Sequence, residues 1–273
     1  MHCEVGDVRV HYVEHGDGLP FVGLHGAGVD HRELAGALEP AFAALPGSRR
    51  IRRIYPDLPG MGGTPAPPHL RSNDDVVEVL LGFVDRVVGD GRFLVGGHSL
   101  GGYLAQAVAA RRRDQVAGLA LFCPAGPAAR DVPPHTVVRT EGDPTEVLDP
   151  GDVAGFEEYF VLRTPVTARR YRDRVVPGAE LVDVAALERI FDRWVLRDGP
   201  GAGDRHTYPT LILAGRQDSS VGWAGAADLL SVYPRASFAV VDGAGHALLH
   251  ERPEVVTALL HHWLARCDDE GTR

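Results

Sequence analysis

Gly97-His98-Ser99-Leu100-Gly101 is the stretch that decides the fold, because a strand pattern precedes it and a helix pattern follows it. The apolar run 92–95 predicts a buried strand, and the run 102–110 predicts a helix. A strand, a sharp turn and a helix in this order lift a serine hydroxyl out of the sheet and expose it. Gly97 and Gly101 leave room for the turn, since neither carries a Cβ atom. We therefore interpret Ser99 as an exposed nucleophile.

A serine nucleophile needs a base and an orienting acid, and both have candidates downstream. Asp218 follows the apolar run 210–215, and His246 follows the apolar run 238–241. Parallel strands bring their carboxyl ends to one edge of a sheet, so these side chains are expected to lie near Ser99. The sequence thus predicts His246 as general base and Asp218 as orienting acid. Asp242 and the acidic residues of the segment 124–208 remain alternative candidates for the orienting acid.

Alternating strand and helix patterns predict a mostly parallel, doubly wound α/β sheet. Four motifs occur in order along the chain: Leu24-His25-Gly26-Ala27-Gly28, Asp57-Leu58-Pro59-Gly60-Met61-Gly62-Gly63-Thr64, the turn at Ser99, and Gly245-His246. In these motifs the chain resembles capped enzymes of the α/β-hydrolase fold, of the esterase, lactonase and C–C hydrolase type. Catalytic residues in the order Ser, Asp, His are typical of that fold.

The strand pattern stops in the middle of the chain. Residues 124–208 show helical patterns at 153–162, 167–175 and 182–196. The resemblance implies a helical cap here, inserted after the sixth strand. We therefore predict an α/β-hydrolase core over 1–123 and 209–273, and a cap (lid) over 124–208. A last helix is expected over about 253–266, followed by a frayed tail.

An oxyanion hole is expected from two main-chain N–H groups. One belongs to Leu100, after the nucleophile, and the other to Ala27, with Gly28 as the alternative. For His25, His98 and Asp57 the sequence favours a structural role over a catalytic one. The candidate lining of the substrate pocket consists of residues near these motifs and aromatic residues of the cap: His25, Gly26, Gly28, His98, Phe156, Tyr159, Phe160 and Trp194.

The composition of the chain limits the kinds of partner that the protein is expected to bind. A net charge of −9 gives little electrostatic support for nucleic-acid binding. No apolar run approaches the roughly 20 residues that span a bilayer, and the first residues do not resemble a signal peptide, so the prediction is a cytoplasmic protein without a membrane partner. Cys3, Cys123 and Cys267 are too widely spaced for a zinc-type cluster. The sequence predicts neither a metal nor a cofactor, and it leaves the oligomeric state open.

The predicted activity is hydrolysis of a small carboxylic ester or lactone through an acyl-enzyme on Ser99. Hydrolysis of a C–C bond beside a ketone uses the same residue types and stays open. Perhydrolysis, acyl transfer or a non-hydrolytic biosynthetic step also fit this triad. A further alternative of another class is a ligand-binding protein on a hydrolase scaffold.

Overall fold

An eight-stranded sheet forms the centre of the molecule. The computed structural model describes residues 1–47, 50–198 and 205–268. The sheet order is β1-β2-β4-β3-β5-β6-β9-β10. Its strands, in chain order, are β1 (His2–Val5), β2 (Val8–His15), β3 (Leu19–Leu24), β4 (Ile51–Pro56), β5 (Phe93–His98), β6 (Val116–Phe122), β9 (Thr210–Gly215) and β10 (Ala236–Val241); β7 and β8 belong to a smaller sheet described below.

The sheet is parallel from β4 to β10, as the sequence predicted. Only β1 and β2, at one edge, pair antiparallel to their neighbours. The central strands β5, β6 and β9 are buried along their whole lengths. Helices cover both of their faces, which explains why these strands appear in the sequence as continuous apolar runs rather than alternating ones.

Four long helices form the two outer layers. They are α1 (His31–Ala43), α2 (Asn73–Val87), α3 (Leu100–Arg111) and α10 (Pro253–Asp268). The pair α2 and α3 packs with one core cluster, and the pair α1 and α10 packs with the other. Asp30 caps α1 by accepting from the Arg32 N–H, and Ser72 caps α2 by accepting from the Asp75 N–H. Two short helices, α8 (Ala224–Asp228) and α9 (Leu248–Glu251), follow β9 and β10.

Within the segment 124–208, the described residues 124–198 and 205–208 form four α-helices, one 3₁₀ turn (Pro144–Glu146) and a small sheet. The helices are α4 (Val153–Tyr159), α5 (Pro165–Arg174), α6 (Val176–Ala179) and α7 (Val184–Phe191). The strands β7 (Arg139–Thr140) and β8 (Leu162–Arg163) pair in parallel, so this segment is not wholly helical as expected. Two-residue strands carry no periodicity that a sequence pattern could reveal. The division into core and cap stays a prediction, although α5 contacts both α1 and α9.

Several predicted helix ends shift in the structure. The helix expected over 153–162 ends at Tyr159, because Phe160 adopts an extended conformation. The helix expected over 182–196 spans only Val184–Phe191. At the C-terminus, α10 runs to Asp268 and buries Cys267, so the predicted tail begins later than expected. The rest of that tail, residues 269–273, lies outside the described residues. In the part of the chain that the structure describes, no helix combines the length and apolar character needed to cross a bilayer.

Candidate active site

Ser99 occupies a strained position at the turn from β5 to α3. Its backbone has φ 52° and ψ −119°, a conformation that is costly for a residue with a Cβ atom. The turn is held by three main-chain hydrogen bonds: the Ser99 N–H donates to the Phe122 oxygen at 3.0 Å, and its oxygen accepts from Tyr103 and Ala125. A Cβ atom at Gly101 would collide with the main chain of Leu24. This close approach of two main-chain segments explains why position 101 is a glycine.

Asp218 and His246 form a hydrogen-bonded pair beside this turn. Asp218 Oδ2 lies 2.8 Å from His246 Nδ1. Asp218 is fully buried in the loop after β9, and its Oδ1 accepts from the N–H groups of Ser220 and Val221 at 2.9 and 3.0 Å. Burial alone would raise the pKa of Asp218, but His246 and these main-chain donors outweigh it and lower the pKa. The carboxylate therefore stays ionised while it orients the imidazole.

Asp242, the nearest rival for the acid position, lies elsewhere. It accepts a hydrogen bond from Gln217 Nε2 at 2.9 Å, on the exposed side of the loop. Its pKa is lowered by that hydrogen bond and by the Gly243 N–H. His246 thus takes Asp218, not Asp242, as its hydrogen-bond partner.

One cavity of about 420 Å³ brings the candidate residues together. Ser99 and His246 share its wall with the loop after β3 and with residues of the cap segment. The lining residues are Gly26, Ala27, Gly28, Val29, His98, Ser99, Gly155, Glu158, Tyr159, Tyr171, Val175, Ser220 and His246.

The two expected oxyanion donors lie at this cavity or next to it. Ala27 is exposed and lines the wall. The alternative donor, Gly28, already gives its N–H to Met61 Sδ at 3.3 Å, which favours Ala27. Leu100 is the first residue of α3, where helical N–H groups have no acceptor within the helix. Donors at a helix N-terminus suit a developing negative charge.

His25 is buried away from the cavity wall, unlike the pocket position expected for it. Its Nε2 accepts from the Leu58 N–H at 2.9 Å, so its Nδ1 donates to the Gly26 oxygen at 2.7 Å. Burial lowers the pKa of His25, in keeping with this neutral tautomer. The imidazole thereby holds the loop that carries Ala27, which is the structural role favoured from the sequence.

The aromatic cap residues divide between the cavity and the interior. Tyr159 lines the cavity, as do Gly26, Gly28 and His98. Phe156 and Phe160 instead lie in a buried apolar cluster with Val29 and Ala247. Trp194 stacks on Tyr103 and donates to the Gly126 oxygen at 2.8 Å, away from the cavity. Helical spacing marks aromatic residues as buried but does not say which faces a neighbouring helix and which faces a cavity.

Six wall residues were missed at the sequence level: Val29, Gly155, Glu158, Tyr171, Val175 and Ser220. Tyr171 and Val175 stand four residues apart, and this i, i+4 spacing within the predicted helix 167–175 could have placed them on one face. Ser220 lies two residues after Asp218, where its sequence position is equally typical of a turn residue. For the remaining three the sequence carries no such signal.

Asp57 joins a second histidine cluster, outside the cavity wall. Its Oδ1 accepts from the ring and main-chain N–H groups of His31, and its Oδ2 accepts from His11 and the Gly63 N–H. Burial alone would raise the pKa of Asp57, but the hydrogen bonds from the His31 ring and from the main-chain N–H groups of Gly63 and His31 lower it. The nitrogen–oxygen distances of 2.7 Å to both rings are those of hydrogen bonds. Asp57 therefore holds its own loop, as the turn chemistry indicated.

Three side chains near the cavity have atoms of the kind that bind metals: His98, Cys123 and His246, whose donor atoms lie within 4.8 Å of one another. In His98, Nδ1 contacts Glu33 and Nε2 contacts the His246 oxygen, while Nδ1 of His246 contacts Asp218. Three of the four ring nitrogens are therefore engaged in contacts within the site, and the fourth is His246 Nε2.

The fold agrees with what comparison with known proteins shows. The chain belongs to the alpha/beta hydrolase family, whose family model matches residues 21–259. It is thus an enzyme of the hydrolase class. It is 27% identical over 273 residues to 2-hydroxymuconate semialdehyde hydrolase from Pseudomonas sp. (strain CF600), covering 96% of this chain and 92% of that relative.

Two further similarities extend over nearly the whole chain. The chain is 24% identical over 258 residues to 2-hydroxy-6-oxo-6-(2'-aminophenyl)hexa-2,4-dienoic acid hydrolase from Metapseudomonas resinovorans, covering 91% of this chain and 85% of that one. The crystal structure of an alpha/beta superfamily hydrolase from Oenococcus oeni PSU-1 matches with a TM-score of 0.88 and 25% identity, over 98% of this chain and 99% of the other.

Proposed function

We propose that this protein is a serine hydrolase that cleaves a small, uncharged carboxylic ester or lactone through an acyl-enzyme on Ser99. One observation carries the proposal: Ser99 and His246 line the same cavity, and the Nδ1 of His246 is taken by the buried Asp218. With Nδ1 donating to Asp218, Nε2 is the nitrogen left to accept a proton.

In the proposed reaction, His246 Nε2 removes the Ser99 proton while Oγ attacks the acyl carbon. The N–H groups of Ala27 and Leu100 stabilise the oxyanion. The protonated His246 then gives its proton to the leaving oxygen, and Asp218 stabilises the imidazolium. Water repeats the sequence on the acyl-enzyme and releases the acid.

Charge on the cavity wall supports an uncharged substrate. Among the described residues that line the cavity, Glu158 is the one acidic side chain, and none is Arg or Lys. His98 also lines the wall, but its ring nitrogens face the Glu33 carboxylate and the His246 oxygen. A carboxylate on the substrate would therefore meet no unpaired cationic side chain among these lining residues. The second relative's name refers to a dienoic acid, a substrate with a carboxylate. This difference favours an ester or lactone.

C–C bond hydrolysis is the second candidate function. The observation in its favour is the similarity to 2-hydroxymuconate semialdehyde hydrolase over 96% of this chain. The same serine, histidine and aspartate could carry either reaction. A small-molecule substrate and a cytoplasmic location remain predictions from the sequence.

The test is hydrolysis of p-nitrophenyl acetate, butyrate and octanoate by the wild type, Ser99→Ala and Ser219→Ala. We expect Ser99→Ala to lose kcat by a factor on the order of 10⁴ to 10⁶, because no other group can form the acyl-enzyme. Ser219 is the matched control, since it lies in the Asp218 loop, bonds His135 at 3.1 Å and does not line the cavity. The Ser219→Ala variant should hydrolyse the three esters at the wild-type rate.

The outcomes separate the candidate functions. Turnover of 2-hydroxymuconate semialdehyde in preference to the esters would favour C–C hydrolysis. Labelling of Ser99 by a fluorophosphonate without turnover of either substrate would favour a ligand-binding role. Equal turnover by the wild type and Ser99→Ala would refute the acyl-enzyme.

A further inference from the structure

Three buried ionisable side chains meet beside the cavity, and the proposed mechanism uses none of them. Glu33 on α1, His98 at the end of β5 and His250 on α9 are each at most 2% exposed. Glu33 Oε1 lies 3.2 Å from His98 Nδ1 and 3.3 Å from His250 Nε2. A buried carboxylate is costly without such partners, so this cluster is a built feature of the interior.

Both ring nitrogens of His98 face groups that can only accept. Its Nδ1 faces the Glu33 carboxylate at 3.2 Å, and its Nε2 faces the main-chain oxygen of His246 at 3.0 Å. A neutral imidazole donates from one nitrogen only. Only an imidazolium has an N–H on both sides, so that Nε2–H donates to the His246 oxygen while the positive ring forms an ion pair with Glu33 that is not aligned as a hydrogen bond.

The surroundings of the pair favour this charge separation. Glu33 lies in the first turn of α1, where the helix dipole stabilises a negative charge. Burial alone would raise the pKa of Glu33 and lower that of His98. Their mutual attraction outweighs burial in both, so the pKa of Glu33 falls and that of His98 rises. Burial lowers the pKa of His250, which leaves it neutral with its Nε2 facing Glu33.

His98 connects the two halves of the candidate site. It directly precedes Ser99, and its ring lies 4.8 Å from the His246 ring, centroid to centroid. Gly26 of the oxyanion loop also passes close, since a Cβ atom there would stand 3.1 Å from His98 Nδ1. A fixed His98 therefore sets the distance between the serine turn, the oxyanion loop and the loop that carries the base.

We propose that His98, held as a cation by Glu33, is a positioning residue that fixes the catalytic base by donating its Nε2–H to the His246 carbonyl. The inference rests on the proposed function, because it assigns a role in aligning His246 with Ser99. Without the Glu33 charge, His98 becomes neutral. Its Nε2–H can then give the His246 carbonyl only an uncharged hydrogen bond, which is weaker than that of an imidazolium, so the His246 loop gains freedom.

The first test compares Glu33→Gln with Glu39→Gln. Glu39 is the matched control, since it lies on the same helix but bonds Arg53 and Tyr55. We measure kcat and KM for p-nitrophenyl butyrate, with rates normalised to active sites titrated by a fluorophosphonate. We expect Glu33→Gln to lower kcat roughly tenfold to a hundredfold with KM little changed, because misplacing a reacting group by about 1 Å costs on the order of 10². Glu33→Asp should restore part of the rate.

Equal kcat in Glu33→Gln and Glu39→Gln would overturn the positioning role, as would a change in KM alone. A wild type that neither hydrolyses esters nor takes the label would instead refute the proposed function. An active wild type with an unimpaired Glu33→Gln refutes only the role of the pair.

A second measurement does not depend on the folding of any Glu33 variant. Nitrogen-15 NMR of histidine-labelled wild type reports the protonation of each ring nitrogen, and His98→Gln identifies the His98 signals by their absence. Two protonated ring nitrogens on His98 near neutral pH support the proposal. One bare nitrogen overturns it.

Discussion

Asp218 and Asp57 form similar pairs with different consequences. Each is a buried carboxylate that follows a strand, and each contacts a histidine Nδ1, at 2.8 Å to His246 and 2.7 Å to His31. The difference lies in the second oxygen. Asp218 keeps one oxygen for main-chain donors and gives the other to His246 alone, whereas both oxygens of Asp57 accept a main-chain N–H. A carboxylate–histidine pair of the same type can thus orient a reactive ring in one loop and stabilise the chain conformation in another.

Asp218→Asn is the change that tests this comparison with the largest expected effect. The Asn oxygen can keep the N–H groups of Ser220 and Val221, so the fold should survive. The amide then presents a donor to His246 Nδ1 and favours the wrong tautomer. We expect kcat for p-nitrophenyl butyrate to fall by about 10⁴, with the urea midpoint near that of the wild type. Retention of more than a tenth of the activity would mean that another acid serves His246.

Asp57→Asn should show the opposite pattern. Whichever way the amide turns, its NH₂ group faces a main-chain donor, either from His31 or from Gly63. An unsatisfied buried donor costs about 1–3 kcal/mol, so we expect the free energy of unfolding in urea to fall by that amount. The kcat of the folded fraction should stay near that of the wild type. Loss of activity without loss of stability would place Asp57 in the chemistry.

The pH dependence of stability sharpens the same contrast. The pKa of Asp57 is lowered in the folded state, so its contribution to stability is fully present above the unfolded pKa of about 3.9. It is lost as the pH falls through the lowered folded pKa. Urea denaturation of the wild type and Asp57→Asn from neutral pH to about pH 3 should show a stability difference that shrinks in acid. A difference that grows in acid would contradict the assignment.

Val175→Phe tests the cap side of the cavity, with the smallest expected effect. Val175 follows α5, is buried and lines the wall. A larger side chain there should lower kcat/KM for the octanoate about tenfold relative to the acetate, since pockets discriminate a few methylenes on this scale. Val166→Phe is the matched control, because Val166 lies on the same helix but is 47% exposed and outside the cavity wall. An unchanged chain-length profile in Val175→Phe would mean that the acyl chain binds elsewhere.

Much of the candidate site could be predicted locally because its residues follow strands. Ser99 and Asp218 follow the buried strands β5 and β9, and His246 follows the half-buried edge strand β10. Parallel pairing brings these strand ends together. The turn at Ser99 is likewise encoded by two flanking glycines. The segment 124–208 was harder to predict: Phe156 and Phe160 pack inward, while Glu158 and Tyr159, between them in sequence, line the cavity.

The sequence by itself determined the parallel sheet, the serine turn and the order of the candidate catalytic residues, because strand periodicity and turn stereochemistry act between near neighbours in the chain. The tertiary structure alone shows that His246 forms a hydrogen bond with Asp218 rather than with Asp242, and that Glu33 faces His98, which is 65 positions away in the chain. Such pairings depend on which segments are adjacent in space, and side-chain charge becomes decisive only where burial removes the competing water.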